Sequence, residues 1–210
     1  MVHPRKGPSV TTDREGDQLL VERARAGERA AFDLLVAKYQ RRLMRLLARL
    51  LNDPAEAEDV VQETFIKAYR ALRHFRGDAA FYTWLYRIGI NTAKNALLMR
   101  KRLAASSPVE PAVIKPDGGG EEERLRDINT PESMLASKQI AQTVNAAMDA
   151  LPIDLRTAIA LREIEGLSYE EIAQIMGCPI GTVRSRIFRA REAIARKLRP
   201  LLDLPVDKRW

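Results

Sequence analysis

Cysteine and histidine are scarce in this sequence: its 210 residues include one cysteine, Cys178, and two histidines, His3 and His74. A single cysteine cannot form an intramolecular disulfide, and it excludes a cysteine-rich zinc site. The two histidines lie far apart in the sequence and do not complete a ligand set. The sequence therefore predicts no metal site, and nothing in it indicates a cofactor.

Long apolar runs are also missing. No stretch of about 18 apolar residues occurs, so no segment is predicted to span a membrane. The first residues, MVHPRKGPSVTTDREGD, contain no apolar run and do not have the pattern of a secretory signal. We therefore expect a cytoplasmic protein that does not insert directly into a membrane.

Strand-like alternation of apolar and polar residues is absent, whereas apolar residues recur at steps of three and four. Between residues 28 and 51 this pattern passes through Phe32, Leu35, Tyr39 and Leu43, which is typical of an amphipathic helix. The predicted fold class is all-α. The same reasoning predicts helices over residues 17–27, 28–51, 54–74, 79–102, 131–150, 152–164, 169–176 and 179–200.

Composition divides these helices into two small domains. Residues 104–130 contain three prolines and three consecutive glycines and have no apolar period, which indicates a flexible linker. Residues 17–103 are expected to form a four-helix bundle, and residues 131–203 a second helical domain. Residues 1–16 are predicted to be a disordered tail, and residues 204–210 form a second tail.

Positive charge exceeds negative charge, with 35 Lys and Arg against 28 Asp and Glu and a net charge of +7. This balance favours an anionic partner such as nucleic acid or a lipid surface, without choosing between them. The chain has only two Trp, five Tyr and five Phe residues. Five of these rings lie in residues 75–91, FRGDAAFYTWLYRIGIN, beside Arg76 and Arg87.

The helix expected over this aromatic stretch has two distinct sides. The core side consists of Phe81, Leu85, Ile88 and Thr92. A neighbouring strip consists of Trp84, Arg87, Asn91 and Lys94. A stacking ring beside cations and an amide suits single-stranded nucleic acid, where stacking is worth about 1–3 kcal/mol per base. The alternative is that rings at helical spacing only pack in the core, as we expect for Phe81.

The carboxy-terminal segment GLSYEEIAQIMGCPIGTVRSRIFRAREAIARKL has the pattern of a helix-turn-helix. Ser168 and Glu171 form a capping box before a short helix. Gly177 ends that helix because glycine adopts the left-handed conformation readily, and Pro179 suits the start of the next helix. The pattern indicates a DNA-binding domain, although it also occurs in proteins that do not bind DNA.

The last helix of this segment has an apolar side for the domain core, made of Val183, Ile187, Ala190, Ile194 and Leu198. The opposite side carries Arg184, Ser185, Phe188 and Arg189. Arginine pairs bidentately with guanine in the major groove, and apolar groups contact the thymine methyl. This side therefore suits duplex DNA, and the alternative is an ordinary solvated basic surface.

Two long segments, AEDVVQETFIKAYRALRHFRGDAAFYTWLYRIGINTAKN and LPIDLRTAIALREIEGLSYEEIAQIMGCPIGTVRSRIFRAREAI, resemble bacterial RNA polymerase sigma factors. The resemblance is to the sigma-E type of the extracytoplasmic-function group, in the sigma-70 family. It runs from about Asp17 to Leu198 apart from the linker. It implies a first domain that binds polymerase and melts the minus-10 promoter element, and a second that reads the minus-35 element.

The resemblance also implies site residues. The minus-10 pocket, into which an unpaired base is flipped, maps to Phe75, Arg76, Gly77, Asp78, Phe81, Tyr82, Trp84 and Asn91. The minus-35 readers map to Arg184, Ser185, Arg186, Phe188 and Arg189. Polymerase docking maps to Asp59, Gln62 and Glu63. These acidic residues have a structural alternative, because negative charge near a helix N-terminus is favoured by about 0.3–1 kcal/mol in any case.

The partners implied by the resemblance are the polymerase core and promoter DNA. On the polymerase, the clamp coiled coil of the largest subunit and the flap are the expected docking sites. An anti-sigma factor, often connected to a membrane-anchored relay, is expected to lie between the two domains, and the regulated response is expected to be an envelope stress response. The resemblance implies no catalytic residue and no cofactor.

The linker allows a geometric check on this interpretation. Promoter elements about 17 base pairs apart are separated by roughly 60 Å at about 3.4 Å per pair. About 30 extended residues reach roughly 100 Å, whereas as a free coil they average about 30 Å. The linker is therefore long enough, provided that it is held stretched. Its glycine run and the long amino-terminal tail depart from the family without touching either motif.

Two other classes of protein remain as alternatives. A dimeric helix-turn-helix regulator acting without polymerase explains the carboxy-terminal half, but it gives Trp84, Arg87 and Asn91 no role and requires a dimerisation stripe that is not visible. A nucleic-acid enzyme needs clustered carboxylates, a metal site or a phosphate loop. The acidic residues of AEAEDVVQE lack accompanying His or Cys, and GGGEEE lacks the lysine of a phosphate loop.

Overall fold

The structure, a computed structural model, describes residues 10–106 and 131–202. Within these ranges the chain is helical and contains no strand, which confirms the predicted all-α class. The first group of helices is α1 (Val10–Arg25), α2 (Arg29–Leu51), α3 (Pro54–Ala71) and α4 (Phe81–Ser106), with a 3-10 turn at Leu72–His74. The second group is α5 (Pro131–Asp149), α6 (Ile153–Glu163), α7 (Tyr169–Met176) and α8 (Ile180–Leu202).

Helix α2 is the central element of the amino-terminal group. Its leucines at steps of three and four lie on one side of the helix, and Leu35, Leu43, Leu46 and Leu47 are fully buried. This side packs against α1, α3 and α4. The predicted core of the first domain is therefore confirmed, and α4 is held against the bundle along its first half, where Phe81, Leu85, Ile90 and Ala93 are buried.

The carboxy-terminal group forms around α8, which packs against α5, α6 and α7. Val183, Ile187 and Ala190 are buried as predicted, whereas Ile194 and Leu198 are only half-buried. The difference arises because α8 extends beyond the short helices α6 and α7. The apolar side of α8 therefore points inward, which turns its opposite side to solvent.

Three helix ends differ from the prediction. Helix α1 begins at Val10, inside the segment that was predicted to be a disordered tail, since no proline interrupts the helix after Pro8. Helix α3 ends at Ala71, whereas it was predicted to reach residue 74. The last three of the predicted residues, Leu72–His74, form a 3-10 turn. Helix α4 runs to Ser106, into the predicted linker, and Pro108 two residues later disfavours further helix.

The start of α4 also corrects the sequence interpretation. The helix predicted from residue 79 begins at Phe81. The carbonyl oxygen of Ala80 accepts the first helical hydrogen bond, from Trp84 N at 3.2 Å, so Ala80 occupies the cap position. Residues 75–80 thus form a loop, which leaves Asp78 exposed.

Other predicted segments lie outside the described residues. These are the first nine residues of the amino-terminal tail, the linker residues 107–130 and the carboxy-terminal tail 204–210. In the described ranges, no helix combines the length and the apolar character that crossing a bilayer requires.

The amino-terminal helix α1 is attached to the bundle through Asp17, which is 3% exposed. Its carboxylate accepts hydrogen bonds from Lys38 Nζ at 2.5 Å and from the hydroxyl of Tyr39. Both donors lie on α2, so this polar contact fixes the position of α1 along the buried face of α2. A buried carboxylate is tolerated here because both of its oxygens have donors.

We predict that Asp17→Ala lowers the free energy of unfolding by about 1–3 kcal/mol, because it removes the buried carboxylate that accepts hydrogen bonds from Lys38 and Tyr39. Glu15→Ala is the matched control, since Glu15 is an exposed acid on the same helix and should change stability by less than about 0.5 kcal/mol. Urea unfolding followed by circular dichroism measures both. Equal effects of the two substitutions would contradict the prediction.

Candidate nucleic-acid interface

Three rings come together where the loop of residues 75–80 enters α4. The ring centroids of Phe75 and Trp84 are 4.9 Å apart, those of Phe81 and Trp84 5.8 Å, and those of Phe75 and Phe81 6.1 Å. Phe75 and Phe81 are buried, whereas Trp84 is half-buried. The expectation that Phe81 belongs to the core is therefore confirmed. Trp84 is the ring of this cluster that reaches the surface, and two buried rings support it.

The loop itself is exposed and needs a glycine. Arg76, Gly77 and Asp78 are all exposed, and Gly77 has φ of 79°, a conformation that favours glycine. The chain can turn there without a side chain, and Arg76 and Asp78 flank this glycine. The predicted loop residues thus form an exposed turn between Phe75 and Phe81, two rings of the cluster.

The other side chains of the predicted surface on α4 differ in whether they are exposed or bonded to the rest of the protein. Arg87 and Asn91 are exposed. Lys94 is half-buried, and its Nζ donates to Asp154 Oδ1 at 2.7 Å. The hydroxyl of Tyr82 donates to the Glu171 carboxylate, and burial together with this bond raises the pKa of Tyr82 to about 12. Asp154 and Glu171 both belong to the carboxy-terminal group, so part of the strip is covered by that group.

The predicted face of α8 is exposed as a unit. Arg184, Ser185, Phe188 and Arg189 all lie at the surface, and Phe188 is 63% exposed. Ser185 Oγ donates to the carbonyl oxygen of Thr182 at 2.9 Å, and the Arg184 guanidinium lies 5.9 Å from the ring centroid of Tyr169. This is a polar, basic helix face with one apolar ring and no cover from the rest of the described chain.

Arg186 is separate from this face. It is half-buried, and its Nη2 donates to Asp154 Oδ2 at 3.0 Å while its Nη1 contacts Cys178 Sγ at 3.4 Å. The reason is the helical period, since position 186 lies beside the buried Val183 and Ile187 and not opposite them. The structure therefore groups four of the five predicted minus-35 residues and places Arg186 elsewhere.

The turn before α8 has the predicted local structure. Ser168 Oγ accepts from Glu171 N at 3.2 Å, and the Glu171 carboxylate accepts from Ser168 N at 2.7 Å. These bonds, with the one from Tyr82, lower the pKa of Glu171 despite the opposing effect of its burial. Gly177 ends α7 with φ of 62°. The capping box that begins α7 and the glycine turn that ends it are both confirmed.

The predicted polymerase-binding residues share one exposed side of α3. Asp59, Gln62 and Glu63 are all exposed, and their spacing places them on one side of the helix. Glu63 Oε1 forms a salt bridge with Lys67 Nζ at 2.7 Å. Ile66 continues the same side and is 51% exposed. The sequence analysis did not identify Ile66, although an apolar residue on the polar side of a helical projection was a visible signal.

Glu165 was also missed, and no local pattern pointed to it. It follows α6 in the sequence, is 8% exposed, and accepts from Tyr86 Oη at 2.7 Å and from Arg42 Nε at 3.2 Å. Burial and this hydrogen bond raise the pKa of Tyr86. Glu165 lies 79 positions after Tyr86 and 123 positions after Arg42 in the chain, so only the tertiary structure reveals these contacts.

The described part of the chain contains no cluster of three or more His, Cys, Asp or Glu residues that could hold a metal ion. The candidate interfaces are two surfaces that carry cations and rings, one on α4 and its preceding loop and one on α8. A third surface, on α3, is acidic with an exposed isoleucine.

Family models match both halves of the chain. Residues 35–103 match sigma-70 region 2, and residues 141–194 match sigma-70 region 4. The chain belongs to the extracytoplasmic-function group of the sigma-70 family. It is thus a sigma factor, a non-enzymatic initiation factor that binds RNA polymerase and promoter DNA. This excludes both the nucleic-acid enzyme and the regulator that acts without polymerase.

Similar proteins agree with this assignment. The sigma factor is 56% identical to RNA polymerase sigma-H factor of Pseudomonas aeruginosa over 189 residues, which cover 90% of this chain and 97% of that protein. It is 54% identical to ECF RNA polymerase sigma-E factor of Escherichia coli over 187 residues, covering 89% and 96%. A similar solved structure is the sigma factor RpoE in complex with the anti-sigma factor NepR from Bartonella quintana. Its TM-score is 0.59 and its identity 28%, covering 84% of this chain and 98% of that chain.

We predict that Gly177→Ala lowers the free energy of unfolding by about 1–2 kcal/mol, because alanine is strained in the left-handed conformation. Gly181→Ala is the matched control. Gly181 lies within the first turn of α8, and an added Cβ there meets open space, so its stability should stay equal or rise by up to about 1 kcal/mol. Urea unfolding compares the two variants, and a similar loss in both would contradict this account of the turn.

Proposed function

We propose that this sigma factor directs transcription initiation by reading the minus-35 element as duplex DNA and capturing the minus-10 element as a single strand. The observation that carries the proposal is the difference between its two cationic surfaces. One is an exposed helix face with two arginines, a serine and a phenylalanine, and the other is a cluster of rings beside a loop. These surfaces suit two different forms of DNA.

The α8 surface suits the major groove. A helix fits this groove when its exposed face carries donors and small polar groups that reach base edges. Arg184 and Arg189 supply bidentate donors, Ser185 is small, and Phe188 supplies apolar contact for a thymine methyl. We assign the minus-35 element to these four residues. Arg186 supports them from the side, since it bonds within the domain instead of facing outward.

The α4 surface suits an unpaired strand. A flipped base loses stacking worth a few kcal/mol, and Trp84 offers a replacement ring that Phe75 and Phe81 hold in place. Arg76 and Arg87 provide the cationic track that single-strand binding needs, and the Asn91 amide can pair with a base edge. We assign the minus-10 element to this surface, together with Gly77, Asp78, Tyr82 and Lys94.

The acidic side of α3 is proposed as the docking surface for polymerase. Asp59, Gln62 and Glu63 present charge and hydrogen-bonding groups, and the exposed Ile66 adds an apolar contact of the kind found in protein interfaces. We propose the clamp coiled coil of the largest polymerase subunit as its partner. The carboxy-terminal half is proposed to contact the flap of the polymerase.

An anti-sigma factor is the proposed regulator. The similar Bartonella quintana sigma factor was solved in complex with an anti-sigma factor, and relatives are named sigma-E and sigma-H factors. We propose that the partner is linked to the membrane, that the response concerns the cell envelope, and that the sigma factor acts in the cytoplasm with the polymerase. In domain terms, we assign residues 17–103 to region 2, 131–203 to region 4 and 104–130 to the linker, with α1 extending region 2 to Val10.

We predict that Asn91→Ala and Arg184→Ala alter different promoter elements. Purified core polymerase with each variant transcribes a supercoiled promoter library that is randomised in both elements, and the transcripts are sequenced. Asn91→Ala should relax preference at minus-10 only. Arg184→Ala should relax preference at minus-35 only, by about 1–3 kcal/mol of discrimination at one base pair. Wild-type protein and core polymerase alone are the controls, and a shift by both variants in the same element overturns the division.

We predict that Asp59→Arg weakens binding to core polymerase at least about tenfold, equivalent to about 1.4 kcal/mol, because it reverses a charge on the docking side of α3. Glu15→Arg is the matched control, since Glu15 is an exposed acid on α1, away from the docking side of α3. Fluorescence anisotropy of labelled sigma factor with core polymerase measures both affinities. Equal losses would show that net charge, and not this surface, controls binding.

A further inference from the structure

The ring of Tyr169 is in contact with two guanidinium groups. Tyr169 is the first residue of α7 and is half-buried. The Arg162 guanidinium lies over this ring at 5.0 Å from the centroid, and the Arg184 guanidinium lies over it at 5.9 Å. Both distances are within the range of about 6 Å in which a cation is attracted to the face of an aromatic ring. Since Arg162 belongs to α6 and Arg184 to α8, the ring connects three helices.

Arg162 is the fixed member of this group. It is half-buried, and its Nη1 donates to the carbonyl oxygen of Leu167 at 2.7 Å. Leu167 is buried and comes directly before the capping box of Ser168 and Glu171. A backbone hydrogen bond, the core and the cap therefore hold Arg162 and the start of α7 in place, and the ring has a rigid support.

Arg184 is the exposed member, and it belongs to the face assigned to the minus-35 element. A long side chain at the surface loses rotamer freedom when it pairs with a base, and this loss opposes binding. Contact with the supported ring of Tyr169 restricts the Arg184 guanidinium before DNA is present. Part of the entropy loss is thus already made in the free protein.

Arg189 provides a comparison on the same face of α8. It is exposed like Arg184, but the arginines that lie over a ring in the described ranges of the chain are Arg162 and Arg184. The two arginines assigned to base readout therefore differ in support, and a variant without the ring should affect them differently.

The geometry points to Tyr169 as a positioning residue that holds Arg184 in the orientation needed for base readout. The inference rests on the assignment of Arg184 to the minus-35 element under the proposed function. Tyr169 acts through Arg184 and not through a contact of its own with DNA. Its effect is therefore confined to the base pair that Arg184 reads.

The first test uses the full chain with core polymerase and the promoter library randomised in both elements. Arg184→Ala and Arg189→Ala identify the base pair that each arginine reads. Tyr169→Leu removes the ring and should lower discrimination at the Arg184 base pair about two- to fivefold, as expected for one cation–π contact at an exposed site. Preference at the Arg189 base pair and in the minus-10 element should not change. Tyr169→Phe keeps the ring and should retain full discrimination.

Tyr169→Met is a second variant without the ring, and its longer side chain fills more of the space that the ring occupied. It should reproduce the result of Tyr169→Leu. Combining Tyr169→Leu with Arg184→Ala should cost no more discrimination at that base pair than Arg184→Ala alone, because the ring then has no side chain to position. Loss of preference throughout the minus-35 element in both ringless variants overturns the inference, since the ring would then support the whole domain.

A second test separates positioning from a direct phosphate contact. Binding of a labelled minus-35 duplex is measured by fluorescence anisotropy at several salt concentrations. Loss of one phosphate contact lowers the slope of log affinity against log salt by about 0.9. Tyr169→Leu should leave this slope unchanged, and a lower slope overturns the inference.

The outcomes distinguish the inference from the proposed function. If Arg184→Ala alters minus-35 preference but the ringless variants keep full discrimination at the same base pair, the inference fails and the proposed function stands. Loss of discrimination in Tyr169→Phe has the same meaning, because the hydroxyl and not the ring would then matter. If Arg184→Ala leaves minus-35 preference unchanged, the assignment of the α8 surface fails, and the role of Tyr169 fails with it.

Discussion

Burial of the leucine-rich side of α2 is the interaction on which the rest of the structure depends. This side is shared by α1, α3 and α4 of region 2, and α6 of region 4 also packs against α2. The hydrophobic effect contributes about 25 cal/mol per Å² of apolar surface removed from water, so four neighbours around one helix account for much of the core. Because the apolar sides of α3 and α4 pack against α2, their polar sides stay exposed, and these are the sides proposed to contact polymerase and DNA.

The residues proposed to recognise DNA are supported by the core without being part of it. Trp84 illustrates this relation, since Phe75 and Phe81 are buried beneath it and fix its ring while its outer face stays accessible. Phe188 on α8 is fixed differently, by a helix whose opposite side is anchored through Val183 and Ile187. A rigid support of this kind keeps a stacking or groove-reading side chain in place before DNA arrives, which reduces the entropy lost on binding.

Polar contacts, and not only apolar ones, define how regions 2 and 4 meet. Glu165, Glu171 and Asp154 each place a carboxylate from region 4 on a donor of region 2. Such pairs are directional, so they select one docking geometry, yet the cost of desolvating charge keeps their net contribution small.

The sequence by itself determined the all-α class, the helices α2, α5, α6, α7 and α8 to within a few residues, the capping box at Ser168 and the outward face of α8. These features depend on residues within about four positions of each other, because the helical period predicts from the sequence which of them share one face of a helix. The buried Glu165, with its bond to Tyr86, and the pairing of Arg186 with Asp154 were decided only by the tertiary structure. Each of them depends on which distant residues supply a donor, an acceptor or an apolar surface, and no local pattern encodes that pairing.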